Sequence, residues 1–405
     1  MGLVTCQQET KERRFPPALK GRVSSPSNDD AMSEPAPSSG YGLSAVPAAA
    51  AMAAPVLDYL PRRPRGYRPK VALIGCGGVS EHHLRAYRAM GLDVVALCDR
   101  DPARSERRRG EFYPGAALST DFREVLRRDE VEVVDIALHP AERVEVIEAA
   151  LRARKHVLSQ KPFVLDLDVG ERLVALAAER DVKLAVNQNG RWAPHFSYLT
   201  AAVRSGLIGE VATVDFTLQW DHTWTAGTPF EEVHHLVLFD FGIHWFDMAA
   251  RLLQGRRPER VWASVARNTF QRMKPPMLAH VGVDYPGAQV RLNFNGHVKL
   301  GQEDRTVIAG SSGTLRSFGP SLSEQSVTVH TPACQATAKL EGTWFTNGFM
   351  GAMGELLCAI EEHREPENAA AENLRSLELA FAATVSADTG QPQIPGAARR
   401  IKPRG

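Results

Sequence analysis

Val71-Ala72-Leu73-Ile74-Gly75-Cys76-Gly77-Gly78-Val79-Ser80 is the stretch on which the fold turns. Four consecutive apolar residues suit a strand buried on both faces of a parallel sheet. A glycine-rich turn follows at once. An amphipathic helix then runs from about Glu81 to Met90, with Leu84, Ala86 and Tyr87 as inward positions. A second apolar run, Val94 to Cys98, ends at Asp99. Gly75 permits the tight strand-to-helix turn. Gly77 lacks a side chain, so backbone can approach a pyrophosphate. Ser80 fills the third small position, where helix and strand pack closely. Cys76, Gly78 and Val79 complete the turn, and the helix start offers free N–H groups and a positive dipole end to phosphates. Asp99 stands where a carboxylate accepts hydrogen bonds from the adenosine ribose. The unit therefore reads as a dinucleotide site, with a plain tight turn as the alternative. Asp99 repels a 2′-phosphate and favours NAD. Arg100 could turn toward that phosphate, which keeps NADP open.

The alternation continues downstream. Phe122 to Arg127 reads as helix, Val131 to Leu138 as strand, Glu142 to Arg154 as helix and Val157-Leu158 as a short strand. A helix from about Asp168 to Arg180 and a strand from Lys183 to Val186 follow. Repeated strand–helix units of this length predict an α/β, doubly wound parallel sheet. From Val211 the period changes to two. Val214, Phe216, Leu218 and Trp220 alternate with polar residues, and the pattern recurs at Val281-Val283-Tyr285, Val290-Leu292-Phe294 and Val327-Val329. This predicts a second, α+β domain built on an open, mostly antiparallel sheet. Two closing helices are expected near Phe349 to Glu362 and Ala371 to Asp388, with a packing role.

The first 66 residues are rich in Ala, Pro, Ser and Arg without periodic apolar positions. Such composition cannot bury enough apolar surface to offset chain entropy, so a disordered extension is expected over 1–66. The Arg13-Arg14 pair lacks a closely following apolar core, which argues against an export signal, and Met32 is an alternative start. The expected division is thus 1–66, 67–190 and 191–400. A net charge of +1 supplies no field to draw in nucleic acid or an acidic membrane. The Arg104 to Arg109 cluster reads as a solvated helix face. Five cysteines at irregular spacing fit neither a zinc site nor a disulfide framework and suit a reducing, cytoplasmic setting. No apolar run is long enough to span a bilayer.

Two further clusters bear on chemistry. In His156-Val157-Leu158-Ser159-Gln160-Lys161-Pro162, Lys161 ends a strand, and Pro162 biases it toward extended backbone. In Asp240-Phe241-Gly242-Ile243-His244-Trp245-Phe246-Asp247, residues Asp240, His244 and Asp247 fall at i, i+4 and i+7 on one helical face. Taken alone, the first suits a surface lysine and the second an exposed helix face. Together with Gly75 to Ser80, and in this order, they resemble the glucose-fructose oxidoreductase, inositol dehydrogenase and rhizopine-catabolism (Gfo/Idh/MocA) family. The likeness runs from Val71 to Arg400.

The resemblance implies an NAD(P)-dependent dehydrogenase acting on a sugar, cyclitol or related polyol, assembled as a homo-oligomer. It implies that Lys161 contacts cofactor and substrate and polarises the reacting oxygen. His244 would be the general acid/base, and Asp240 would position substrate. Gln160 stands where the family usually carries Glu. The amide keeps shape but removes a negative neighbour of Lys161, which would lower that amine's pKa. Arg143 occupies a slot where the family often places histidine. Asn187 to Pro194 resembles the family's interdomain hinge and puts Asn189 and Arg191 near the substrate. Arg191 either binds a substrate carboxylate or braces the loop, and Trp192 reads as core. A redox-neutral glycosidase and a non-catalytic sensor are the other readings that the resemblance allows. The pairs His82-His83 and His234-His235 point apart on most backbones. No third ligand has fitting spacing, so no metal is expected. The second pair is a candidate for lining the substrate pocket.

Overall fold

The computed structural model describes residues 50–401. The Arg13-Arg14 pair, Cys6, Met32 and the first 49 residues of the expected disordered extension lie outside this range. Residues 50–66 correct that expectation, because they are anchored. The Pro55 carbonyl accepts a hydrogen bond from the Tyr198 hydroxyl at 2.8 Å, and Tyr59 packs edge-on against the Tyr198 ring. The Glu361 carboxylate accepts from the backbone N–H groups of Arg65, Gly66 and Tyr67.

The N-terminal half alternates strictly. β1 (Lys70–Ile74), α1 (Ser80–Met90), β2 (Asp93–Cys98), α2 (Pro102–Phe112), β3 (Ala117–Ser119) and α3 (Phe122–Leu126) are followed by β4 (Val131–Ile136), α4 (Pro140–Arg152), β5 (His156–Gln160), α5 (Leu167–Arg180) and β6 (Leu184–Asn187). All strands are parallel, in the order β3-β2-β1-β4-β5-β6. The order reverses between β1 and β4, and ligands of open α/β sheets bind in the crevice at such a switch point. Val71, Ala72 and Leu73 are fully buried, as a two-faced parallel strand requires.

α6 (Pro194–Arg204) leads into β7 (Val211–Gln219), and α7 (Ile243–Leu252) follows. Then come β8 (Arg260–Ala266), β9 (Leu278–Tyr285), β10 (Ala288–Asn295), β11 (Glu303–Gly310), β12 (Gly313–Gly319), β13 (Ser326–His330) and β14 (Gln335–Ala338). The eight strands form one sheet in the order β14-β13-β12-β11-β7-β10-β9-β8, antiparallel except where β7 meets β10. The period-two residues Val214, Phe216, Leu218, Val290, Leu292 and Phe294 all face inward. α8 (Trp344–Glu361) and α9 (Ala370–Thr389) close the chain.

α8 departs from the expected division of the chain. Its residues Phe349, Met353, Leu356 and Leu357 share one apolar cluster with Val71 and Leu73 of β1 and Leu84 and Tyr87 of α1. The helix therefore covers one face of the parallel sheet, although it lies more than 150 residues beyond β6 in the chain.

Candidate functional site

The C-terminal ends of β1 and β4 open into a cleft of about 480 Å³. Gly75, Gly77, Gly78, Val79, Asp99 and Arg100 line one part of it, and Gln160, Lys161 and Asp240 line another. Gly75 holds φ at +100°, and a Cβ there would lie 2.7 Å from the Ala137 carbonyl oxygen, so this position admits only glycine. Gly77 and Gly78 differ. A Cβ on either would meet nothing within 4 Å, so their backbone faces open space where a ligand can approach.

Cys76 and Ser80 are buried behind the turn and do not line the cleft. They hold its shape. The Cys76 N–H donates to the Asp99 carboxylate at 2.8 Å, and the Ser80 hydroxyl donates to the Gly77 carbonyl at 2.5 Å. Burial pushes the Cys76 thiol up to about 12, so it stays protonated. Arg108 corrects the reading of Arg104 to Arg109 as a solvated face. Only 4% exposed, it donates to Ser80 Oγ at 3.0 Å and to the Gly77 carbonyl at 3.2 Å, and pairs with Glu111. Arg100 ion-pairs with Glu142 at the mouth of the cleft.

At the other end, Lys161 Nζ donates to the Asp240 carbonyl at 2.9 Å and to its carboxylate at 3.2 Å. Asp240 thus supplies the negative neighbour that Gln160 does not. Gln160 has a different task. Its Oε1 accepts from the Lys161 N–H at 2.7 Å, and its amide nitrogen lies 3.2 Å from His83 Nε2. His83 Nδ1 lies 2.6 Å from the Asp135 carboxylate, which also accepts from Tyr87. The Asp135 contact assigns the imidazole proton to Nδ1, so Nε2 accepts from the Gln160 amide. His83 and Asp135 are fully buried. This chain under Lys161 was not legible in the sequence.

Arg143 lies directly beneath, fully buried, and donates to the Pro162 and Leu138 carbonyls. Burial lowers its pKa to about 9, against the opposing pull of Asp240. His139 at the start of α4 and Phe230 line the cleft and contact edge-to-face. His222 lies with its ring 4.2 Å from that of Phe241, and Trp224 joins this aromatic wall. Burial lowers the His222 pKa to about 4. Neither His222 nor Trp224 carried a motif in the sequence.

The expected single helix through Asp240 and His244 is corrected. Val237–Phe241 forms a π-helical turn, and α7 starts only at Ile243. The Gly242 N–H bonds the Val237 carbonyl, five residues back. A Cβ at Gly242 would lie 2.6 Å from the Leu238 carbonyl oxygen, which is why glycine stands at this wide turn. His244 packs edge-on against Trp344. Burial, and then the Lys161 charge, hold its imidazole well below the usual histidine pKa. Among the described residues, Lys161 Nζ bonds Asp240 and not His244.

Arg191 resolves in favour of the brace. Its Nε and Nη2 grip the buried Asp247 carboxylate at 2.6 and 2.7 Å, and Nη1 donates to the Glu367 carbonyl. Each of its three nitrogens is engaged within the protein, which departs from the substrate-binding expectation. Asn189 Oδ1 accepts from the Trp344 indole at 2.7 Å. Trp192 is buried, as expected. His234 and His235 do not line the cleft. Both reach Asp388 instead. Cys76, Cys98, Cys334 and Cys358 are free thiols. No helix among the described residues is long and apolar enough to cross a membrane.

Comparison with known proteins accords with this geometry. Residues 69–188 match the oxidoreductase family with an NAD-binding Rossmann fold, and residues 196–316 match the Gfo/Idh/MocA C-terminal domain. The chain belongs to the Gfo/Idh/MocA oxidoreductases. Among curated relatives, a D-apiose dehydrogenase of Paraburkholderia graminis is 28% identical over 352 residues, covering 80% of this chain and 89% of the relative. An inositol 2-dehydrogenase of Rhizobium meliloti is 25% identical, covering 78% and 96%. An oxidoreductase of Agrobacterium radiobacter, solved with NAD+, L-tartaric acid and magnesium, superimposes with a TM-score of 0.74 at 24% identity, covering 82% of this chain and 99% of that one. The last likeness concerns the fold. The Gfo/Idh/MocA membership makes the chain a dehydrogenase with an NAD-binding Rossmann domain.

Proposed function

We propose that this dehydrogenase oxidises, reversibly, a secondary alcohol of a sugar, cyclitol or related polyol with NAD as cofactor. The observation that carries the proposal is a single cleft lined by the glycine turn and Asp99 at one end and by Lys161 and Asp240 at the other. The open backbone at Gly77 and Gly78 suits a pyrophosphate, and Asp99 suits a ribose and disfavours a 2′-phosphate. Gln160 and Lys161 stand on the nicotinamide side of that arrangement. When bound, NAD supplies the hydride acceptor.

This chain's residues supply the rest. Lys161 carries a positive charge to the reacting oxygen and stabilises negative charge as it develops there. Its present partner, Asp240, is released in part to a neighbouring substrate hydroxyl. His244 is neutral at physiological pH because burial disfavours its charged form. A neutral imidazole can accept the hydroxyl proton, which a charged one cannot. His222, Trp224, Phe230 and Phe241 wall the region against water. The proposal extends to a homo-oligomer that meets through the sheet face bearing the exposed Trp262 and Phe318. The test is an absorbance screen for reduced nicotinamide, with sugars, sugar acids and inositols against both cofactors. Turnover of a polyol with NAD supports the reading. Release of an aglycone without accumulated NADH, or binding of NAD with no turnover of any polyol, overturns it.

A further inference from the structure

Adjacent histidines normally direct their rings apart. His234 and His235 do not. His235 holds φ at +46°, a left-handed conformation that a non-glycine residue adopts at a cost. The result is that both rings lie on the same side, their centroids 4.0 Å apart. Both Nε2 atoms converge on one carboxylate. His234 Nε2 lies 2.9 Å from each oxygen of Asp388, and His235 Nε2 lies 2.7 Å from Oδ1. Asp388 comes from α9, 153 residues further along the chain, which is why no spacing in the sequence revealed it. One donor atom from each residue lies within 4.8 Å of the others.

We propose that His234, His235 and Asp388 form a binding site for a divalent transition metal of the zinc class. Two imidazole nitrogens and one carboxylate oxygen are a borderline donor set, which selects zinc-like ions over magnesium or calcium. The surroundings favour a cation. Asp388 sits in the last turn of α9, at the negative end of the helix dipole. Among the described residues no lysine or arginine pairs with it. Asp388 is 42% exposed, so an ion can enter and keep water in its remaining coordination positions.

The site lies apart from the cleft but at the root of the turn that carries Asp240. The His235 carbonyl accepts from the Leu238 and Phe239 N–H groups, which begins the π-helical turn over Val237–Phe241. A bound ion fastens the start of that turn to the end of α9. This inference does not depend on the identity of the substrate.

The experiment uses untagged, full-length protein stripped with EDTA and dialysed. It is titrated with zinc by calorimetry and with cobalt by visible absorption. One equivalent per chain is expected. Zinc at about 100 times its Kd should raise the thermal midpoint by about 5 °C. His234→Ala and Asp388→Asn should each weaken binding at least about tenfold, and the exposed-site control His363→Ala should not. Absence of stoichiometric binding overturns the site. So does equal binding by wild type and both variants. A third outcome also overturns it: both variants lose stability in the metal-free state while zinc has no effect on the wild type, because the cluster is then a hydrogen-bonded clasp only.

Discussion

Lys161 Nζ meets Asp240 twice, at the backbone carbonyl and at the side-chain carboxylate. One residue directly follows β5 of the parallel sheet, and the other sits in the turn that precedes α7. The contact joins the two halves of the chain at the cleft. Replacing Lys161 by Met should lower kcat by about 10²- to 10³-fold, because an electrostatic contact to the reacting oxygen is lost. NAD affinity, measured by fluorescence titration, should change far less. Equal loss of both would contradict the assigned role.

Gly75 and Gly77 should separate folding from cofactor binding. A Cβ at Gly75 collides with the Ala137 carbonyl, so Gly75→Ala should lower the thermal midpoint. Gly77→Ala meets no protein atom, so its midpoint should stay within about 1 °C of wild type. Its NAD affinity should fall by about tenfold or more, as the methyl occupies the space that the phosphates need. Calorimetry on both variants provides the comparison.

Gln160 donates its amide to a lone pair on His83 Nε2. Gln160→Glu sets a carboxylate against that lone pair and disturbs the side chain that accepts from the Lys161 N–H. Losing one buried hydrogen bond there should lower kcat by about tenfold. An unchanged kcat in the variant would show that the Gln160–His83 contact has no bearing on Lys161.

Buried histidines should make the fold acid-sensitive. Burial lowers the His195 pKa to about 3 and the His222 pKa to about 4. The unfolded chain takes up protons near pH 6.5, while the folded chain does not until far lower. Stability is therefore full above about pH 6.5 and declines as pH falls toward 4, by up to about 1.4 kcal/mol per pH unit per histidine. Urea midpoints between pH 7 and 4.5 test this. His195→Leu should show the shallower decline.

Arg191 and Asp247 form a buried bidentate pair. Arg191→Ala leaves the Asp247 carboxylate uncompensated and should cost about 3–5 kcal/mol in urea unfolding. A substrate-binding arginine would instead raise KM and leave stability unchanged.

What the sequence revealed follows from how local each determinant is. The strand–glycine–helix unit at Val71 to Met90 is contiguous, and each residue type there answers a constraint within a few positions of itself. The period of two in β7, β9 and β10 was equally plain, because one buried face repeats at every second residue. Asp240 and His244 were read onto one helix that the structure breaks at Gly242, since four-residue spacing is blind to an inserted π turn. Gly242 was the one local mark of it. The partners Arg191–Asp247, His83–Asp135 and His234–Asp388 join elements far apart in the chain. Only folding brings them together, and no spacing rule reaches them.

The position of α8 has a practical side. Its apolar flank is the roof over Val71, Leu73 and Leu84. A fragment ending after β6 would leave that roof off and present wet hydrocarbon to solvent. The nucleotide-binding half is therefore not a detachable cassette. Chimeras that exchange it with a relative's should transplant residues 344–361 in the same step.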